Sequence, residues 1–201
     1  MKRFIQISAL SSLMVLPGLA TANIFDGPYV GAMVGLNQSE MTNIENKTTN
    51  NKTDLSEDGR KLGFGLLAGS GVSFGQFYLG AEAQYLTDLG PMEGDTSQEK
   101  AKAKEAWSGS LLGGYYGMPE TLFYGRIGMA QAKVDLSVPS MNKDDEESFT
   151  LTVLGLGFKT AINEKVSASF EFQKRTGTET FDNVEYELDT NSVTAGVHYT
   201  F

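Results

Sequence analysis

The last eleven residues, NSVTAGVHYTF, repeat with a period of two. Val193, Ala195, Val197, Tyr199 and Phe201 are apolar, and Thr194, Gly196, His198 and Thr200 between them are small or polar. Successive side chains of a β-strand point to opposite faces, so this spacing predicts a strand with one greasy side. That side needs an apolar partner, either a protein core or lipid. Strand-like runs recur at Pro28–Asn37, Lys61–Gly71, Gln76–Leu86, Lys102–Tyr116, Thr121–Val134, Phe149–Ala161, Lys165–Gln173 and Asn191–Phe201. None carries a helical period. Lys100–Trp107 has helix-favouring composition, yet Lys and Ala alternate in it, and it is read as strand. An even number of runs covering the chain predicts an all-β closed sheet.

Residues 1–22 are expected to stand apart from this sheet. Lys2 and Arg3 precede a mostly apolar stretch from Phe4 to Leu19, and Ala20-Thr21-Ala22 supplies an A-x-A cleavage site. That is the pattern of a secretory signal peptide, with a mature chain from Asn23 and one domain over 23–201. The apolar stretch has 16 residues, including Gln6, Ser8, Ser11 and Ser12, against the roughly 20 a membrane helix needs. The sequence contains no cysteine, which excludes disulfide staples and a lipid-modified N-terminus. Removing the leader leaves 14 basic against 25 acidic residues, a formal charge of −11. Nucleic acid is an unsuitable partner for such a chain.

The connections alternate in length. Those at 38–60, 87–101, 135–148 and 174–190 are long, and those around Ser73-Phe74-Gly75, Met118-Pro119-Glu120 and Asn163-Glu164 are tight. An up-and-down meander puts all the long ones at one rim. Short periplasmic turns opposite long extracellular loops are the mark of outer-membrane barrels. A soluble eight-stranded barrel is the competing architecture. The long spans hold 19 acidic and 7 basic residues, so one rim would carry the whole net charge. Such a rim suits solvation, attraction through Mg²⁺ or Ca²⁺ to an anionic leaflet, or recognition of a basic surface. No D-x-D-x-D-G calcium loop is present, and no metal or cofactor site is expected.

Counting back by two from Phe201 assigns the faces. Outward fall Val30, Ala32, Val34, Leu36, Leu79, Ala81, Ala83, Tyr85, Phe123, Ile127, Met129, Leu154, Leu156, Phe158, Ala168, Phe170 and Phe172. Inward fall Gly31, Gly35, Gly80, Glu82, Gln84, Tyr124, Arg126, Gly128, Gly155, Gly157, Lys159, Ser167, Ser169, Glu171 and Gln173. A soluble core would resist Glu82, Arg126, Lys159 and Glu171; a barrel lumen accepts them as a balanced charge network, with glycines making room. Lys100, Lys102 and Lys104 take the inward parity of their run. Parity is loosest in the second and fourth runs, where a bulge would reverse part of the face. Trp107, Tyr115, Phe123, Tyr199 and Phe201 lie where interfacial girdles belong.

These residues resemble the OmpA-like family of eight-stranded outer-membrane barrels, with the OmpX, Ail and opacity types sharing the plan. Pro28-Tyr29-Val30-Gly31-Ala32-Met33-Val34-Gly35 is similar to that family's first strand, and Tyr124-Gly125-Arg126-Ile127-Gly128 to its fifth. Leu154–Asn163 followed by Phe170-Glu171-Phe172-Gln173 resembles its hairpin of strands six and seven. The resemblance implies an eight-stranded antiparallel up-and-down transmembrane β-barrel among outer-membrane lipids and lipopolysaccharide. It implies that Tyr199 and Phe201 form the aromatic terminus read by the barrel-assembly machinery. It departs from the family at Met33, where a basic residue is usual, and at Lys159, where an acid is usual. No peptidoglycan-binding domain is expected after Phe201.

The expected role is structural or surface-interacting, adhesin- or resistance-like, with host or cell-surface ligands met by the acidic loops. The alternatives are a narrow porin-like channel and a lipid-modifying enzyme. Some small barrels are acyltransferases, deacylases or proteases, and these would want a His near the outer rim. The single histidine, His198, lies near the other end and is read as luminal filler, so no catalytic residue is assigned.

Overall fold

In the computed structural model, residues 23–45, 51–55, 60–88, 100–137, 145–181 and 184–201 are described. The leader expected at 1–22 lies outside them. Nine antiparallel strands form one sheet: β1 (Gly27–Glu45), β2 (Asn51–Leu55), β3 (Arg60–Phe74), β4 (Phe77–Asp88), β5 (Lys100–Met118), β6 (Thr121–Ser137), β7 (Asp145–Ala161), β8 (Val166–Phe181) and β9 (Val184–Thr200). Eight of them make an up-and-down barrel that closes by pairing β9 with β1, from Tyr29 opposite Thr200 to Ile44 opposite Glu185. The short β2 stands on β1 above the end of β3, Met41 facing Leu55.

The tight turns come from local chemistry. Phe74 pairs with Phe77 across Gly75-Gln76, and Gly75 takes φ 63°, a left-handed conformation that glycine adopts without steric cost. At the β7–β8 turn the Asn163 side-chain oxygen accepts the backbone amides of Lys165 and Val166, both at 2.9 Å, an Asx turn.

The outward and inward sets counted from Phe201 agree with the barrel wherever their side chains are described. Val30, Val34 and Leu36, then Phe123, Ile127 and Met129, then Leu154, Leu156 and Phe158 all point away from the axis with large apolar exposure. Glu82, Gln84, Arg126, Lys159, Glu171 and Gln173 are buried inside. Phe158 and Phe170 stack across their pair with centroids 6.0 Å apart, and Phe123 packs on Phe158 at 6.3 Å. These rings, with Phe77 and Tyr115 (5.8 Å) and Tyr199 and Phe201 (5.4 Å), gather toward the tight-turn end. At the other boundary Tyr85 lies against Trp107 at 4.5 Å.

The rim differs from the expectation of long loops. Residues 174–181 and 184–190 are strand: β8 and β9 stay paired from Val166 opposite Tyr199 to Phe181 opposite Val184. Likewise β6 and β7 remain paired up to Leu136 opposite Asp145, and β1 runs on to Glu45. A transmembrane strand needs only about 9–11 residues, and β9 has 17. The first described lipid-facing apolar position of β9 is Val193, so the strand runs on past the apolar belt. No outward apolar period runs through 184–192 or through the facing end of β8, although Thr176, Thr178 and Thr180 of β8 favour strand. The expected loop 87–101 is strand at 87–88 and 100–101, and its middle, 89–99, lies outside the described residues.

The wall also divides above the membrane. Pairing of β7 with β8 stops at Thr152 opposite Thr176, while each continues upward with its other neighbour. In β5 the register with β6 shifts between Ala103 and Glu105, within the Lys100–Lys104 run. That interrupts the alternation that put these lysines inward, and their side chains lie outside the described residues.

An arginine at Ile127, on the lipid face, is expected to cost about 2–4 kcal/mol, and one at Gln131, above the belt, about 0–1. Urea titration of each variant refolded into lipid vesicles measures the difference; equal losses would contradict this placement of the lipid boundary.

Candidate functional site

Side chains of the described strands fill the lumen upward from the tight-turn end. At the tight-turn end the segment before β1 folds back into the mouth. Phe25 is 2% exposed and stacks on Tyr116 at 5.9 Å, in a buried cluster with Tyr78, Leu112, Leu122 and Tyr124. Asp26 anchors it: one carboxylate oxygen accepts the Ser73 hydroxyl at 2.5 Å, the other the Asn23 backbone N–H at 3.0 Å. Ser73 also shares a 2.7 Å hydrogen bond with the Tyr116 hydroxyl.

Above this stopper lies the charge network. Arg126, on β6, points across the axis between Glu82 of β4 and Glu171 of β8. Its Nη2 lies 2.6 Å from Glu82 Oε1, and its Nε lies 2.6 Å from Glu171 Oε1. A third bond runs from Nη2 to Glu171 Oε2 at 3.1 Å. The remaining carboxylate capacity is taken by neutral donors: the Tyr29 hydroxyl at 2.7 Å and Gln84 at 2.9 Å on Glu82, and the Tyr124 hydroxyl at 2.8 Å on Glu171. Such charge-assisted bonds are the strong ones in a dry interior. Glycines let the strands carry them: a Cβ on Gly155 would stand 2.6 Å from Glu171 Oε1, and one on Gly69 2.5 Å from the Tyr29 hydroxyl.

Of the four residues expected in this network, three meet and one stands aside. Lys159 is 2% exposed with its ammonium 4.1 Å from the centre of the Tyr29 ring, a cation–π placement. It faces the network through Tyr29, whose hydroxyl is already given to Glu82. Arg175, which sequence reading left in a loop, is buried and donates to Gln173 at 2.7 Å. The described lumen therefore holds two carboxylates against three cations, Arg126, Lys159 and Arg175. Tyr29 and Arg175 continue the inward parities of Gly31 and Gln173, so alternation alone could have found them. Phe25 and Asp26 precede the first strand and carry no period.

His198 is buried, and its Nε2 lies 2.7 Å from the Ser169 hydroxyl. Among the described residues no group of three or more acidic or histidine side chains comes together to hold a metal ion. Tyr199 and Phe201 point outward, and the Phe201 backbone N–H reaches the Pro28 carbonyl at 3.1 Å, tying the terminus to the start of β1.

A closed sheet with an apolar outside and a filled, hydrogen-bonded polar inside defines a transmembrane β-barrel of the outer membrane. The chain belongs to the outer membrane protein beta-barrel domain family, whose model matches residues 7–201. Neisserial surface protein A is similar to it in structure: 11% identity, 88% of this chain and 98% of that one, TM-score 0.54. Ail, the attachment invasion locus protein of Yersinia pestis, aligns at 14% identity over 87% of this chain and 99% of that one, TM-score 0.45. OprG from Pseudomonas aeruginosa aligns at 12% identity over 89% and 98%, TM-score 0.46. No curated protein sequence matches the chain.

Replacing Arg126 by Met strands two buried carboxylates and is expected to cost roughly 3–5 kcal/mol, most of which the triple variant E82Q/R126M/E171Q recovers. Urea unfolding in lipid vesicles reads both. An Arg126→Met barrel as stable as the parent would show that the network is solvated.

Proposed function

We propose that this barrel is a non-enzymatic structural and surface-interaction protein, adhesin- or resistance-like, which acts through the part standing outside the membrane. The observation that carries this reading is the upward continuation of the paired strands beyond the lipid-facing belt. Glu40 and Glu45 of β1, Asp145, Glu146 and Glu147 of β7, and Glu185, Glu187 and Asp189 of β9 are strand positions. They ride on a hydrogen-bonded wall instead of a free loop. A wall holds its charges in register, which favours recognition of a surface over plain solvation. Its partners under this reading are the surrounding lipids and lipopolysaccharide and a basic host or cell-surface ligand.

The interior supports the same reading. The Phe25 stopper and the Arg126 network lie across the axis among the described residues, which disfavours the narrow channel. His198 is sealed among luminal residues at the tight-turn end, away from the outer rim, which disfavours lipid chemistry. Tyr199 and Phe201, displayed outward at the last strand, are proposed as the signal for the barrel-assembly machinery. With Phe201→Ala the amount of heat-modifiable barrel recovered from outer membranes should fall several-fold; an unchanged yield would remove that role.

Deleting 178–187 joins Gly177 to Leu188, which already face each other in the β8–β9 register. The shortened barrel should fold and, like the parent, remain electrically silent in planar bilayers. It should also lose binding to host cells and survival in serum. Retained binding and survival would leave the surface-interaction reading without support, and a conducting parent would favour the channel.

A further inference from the structure

Three glycines on the outside of the barrel have no packing reason to be glycine. Gly109 and Gly113 of β5 and Gly125 of β6 share the lipid-facing parity with Leu111, Tyr115, Phe123 and Ile127. A Cβ on Gly109 or Gly113 would meet nothing within 4 Å, and one on Gly125 nothing nearer than Leu156 Cδ2 at 3.7 Å. Inward glycines behave oppositely: a Cβ on Gly128 would fall 2.3 Å from the Ser110 hydroxyl. Glycine weakens a strand, and in a strand interior it marks a place where a ligand or another backbone comes close.

Gly113 and Gly125 lie directly opposite each other across the β5–β6 pair. Together they floor a shallow, open depression, a groove whose banks are Phe77, Tyr115, Phe123 and Leu156. Those banks are apolar and exposed, continuous with the hydrocarbon belt. The lower end of the groove meets the aromatic girdle beside the tight turns, on the periplasmic side. There the Tyr115 hydroxyl donates to the Gln76 side chain at 3.2 Å, with both groups exposed. A greasy trough ending in polar groups at headgroup depth matches the shape and polarity of an amphiphile.

We propose that this groove is a binding site for one phospholipid of the periplasmic leaflet, an acyl chain lying on Gly113 and Gly125 and the headgroup at Gln76 and Tyr115. The site stands on the lipid-facing wall alone and is independent of what the outer strands bind.

The test uses the whole mature barrel in vesicles of phosphatidylethanolamine and phosphatidylglycerol with a trace of chain-spin-labelled phospholipid. Leucines at Gly113 and Gly125 fill open space on the outside, so G113L/G125L should fold, as its heat-modifiable gel shift checks. The spin-label spectrum should show the motionally restricted fraction falling by one lipid per barrel in the variant. Gln76→Ala, which leaves the trough intact, should weaken retention without abolishing it. An identical restricted fraction in parent and folded double variant would overturn the proposal. So would restriction that requires added lipopolysaccharide, or cross-linking that finds a second barrel seated on this face.

Discussion

Hydrocarbon offers no hydrogen bonds, so every backbone N–H and C=O crossing it must be paired within the protein. For a chain of strands the only solution is a sheet without edges. Here that demand falls on one seam, β1 against β9, which joins the first strand to the last over sixteen register pairs. Without β9, β1 and β8 would both be open edges in lipid, and the Phe201 N–H bonding to the Pro28 carbonyl continues the seam to the tight-turn end. Closure fixes the parity of every strand, and parity fixes which side chains meet lipid and which meet one another.

Closing eight strands leaves an interior just wide enough for side chains, so the lumen must pack as a core although its residues are polar. Arg126 resolves this by serving two carboxylates at once, with Tyr29, Gln84 and Tyr124 taking the remaining acceptor positions. Burying so many charges stabilises a protein only weakly, because desolvation offsets much of the attraction. What it confers is uniqueness of pairing. Glu82, Arg126 and Glu171 come from strands β4, β6 and β8, and only one register brings them together. A slip by a single residue would turn all three into lipid, so the network reinforces the same closure that the seam requires.

Much of this was legible in the sequence because two solvents, lipid outside and a polar lumen inside, impress opposite chemistry on alternate residues. Where both held, as at Val193–Phe201 or Leu154–Lys159, the faces could be read residue by residue. Where only water was present the pattern vanished, and strands continuing through Lys174–Thr190 looked like loop. Arg175 was assigned to a loop because the strand was ended at Gln173, one inward position too early. Lys159 was correctly placed inward, but its partner was an aromatic ring, and alternation gives a residue's face without giving its contacts. Phe25 and Asp26 had no period to betray them, since a segment folded into the mouth of a barrel is neither strand nor helix. In β5 the register shift between Ala103 and Glu105 breaks the count that assigned Lys102 its side.

The outer part obeys different rules from the part in lipid. Above the belt no backbone group needs a closed sheet, since water can satisfy an edge. The wall accordingly stops being a cylinder: β5, β6 and β7 rise as one piece, and β8, β9, β1 and β2 as another, parting where Thr152 and Thr176 are the last pair between them. Opposing positions along these pieces are charged in both senses, Lys102 facing Asp135 and Glu105 facing Lys133, but Glu40 facing Asp189. Like charges directly opposite each other destabilise a pair, and Lys174, whose ammonium lies 3.2 Å from Asp189, offsets that repulsion at one point. A purely supportive wall would gain from alternating signs throughout. Acid is retained against acid on strands that the membrane no longer constrains, so support of the wall alone does not account for this charge pattern.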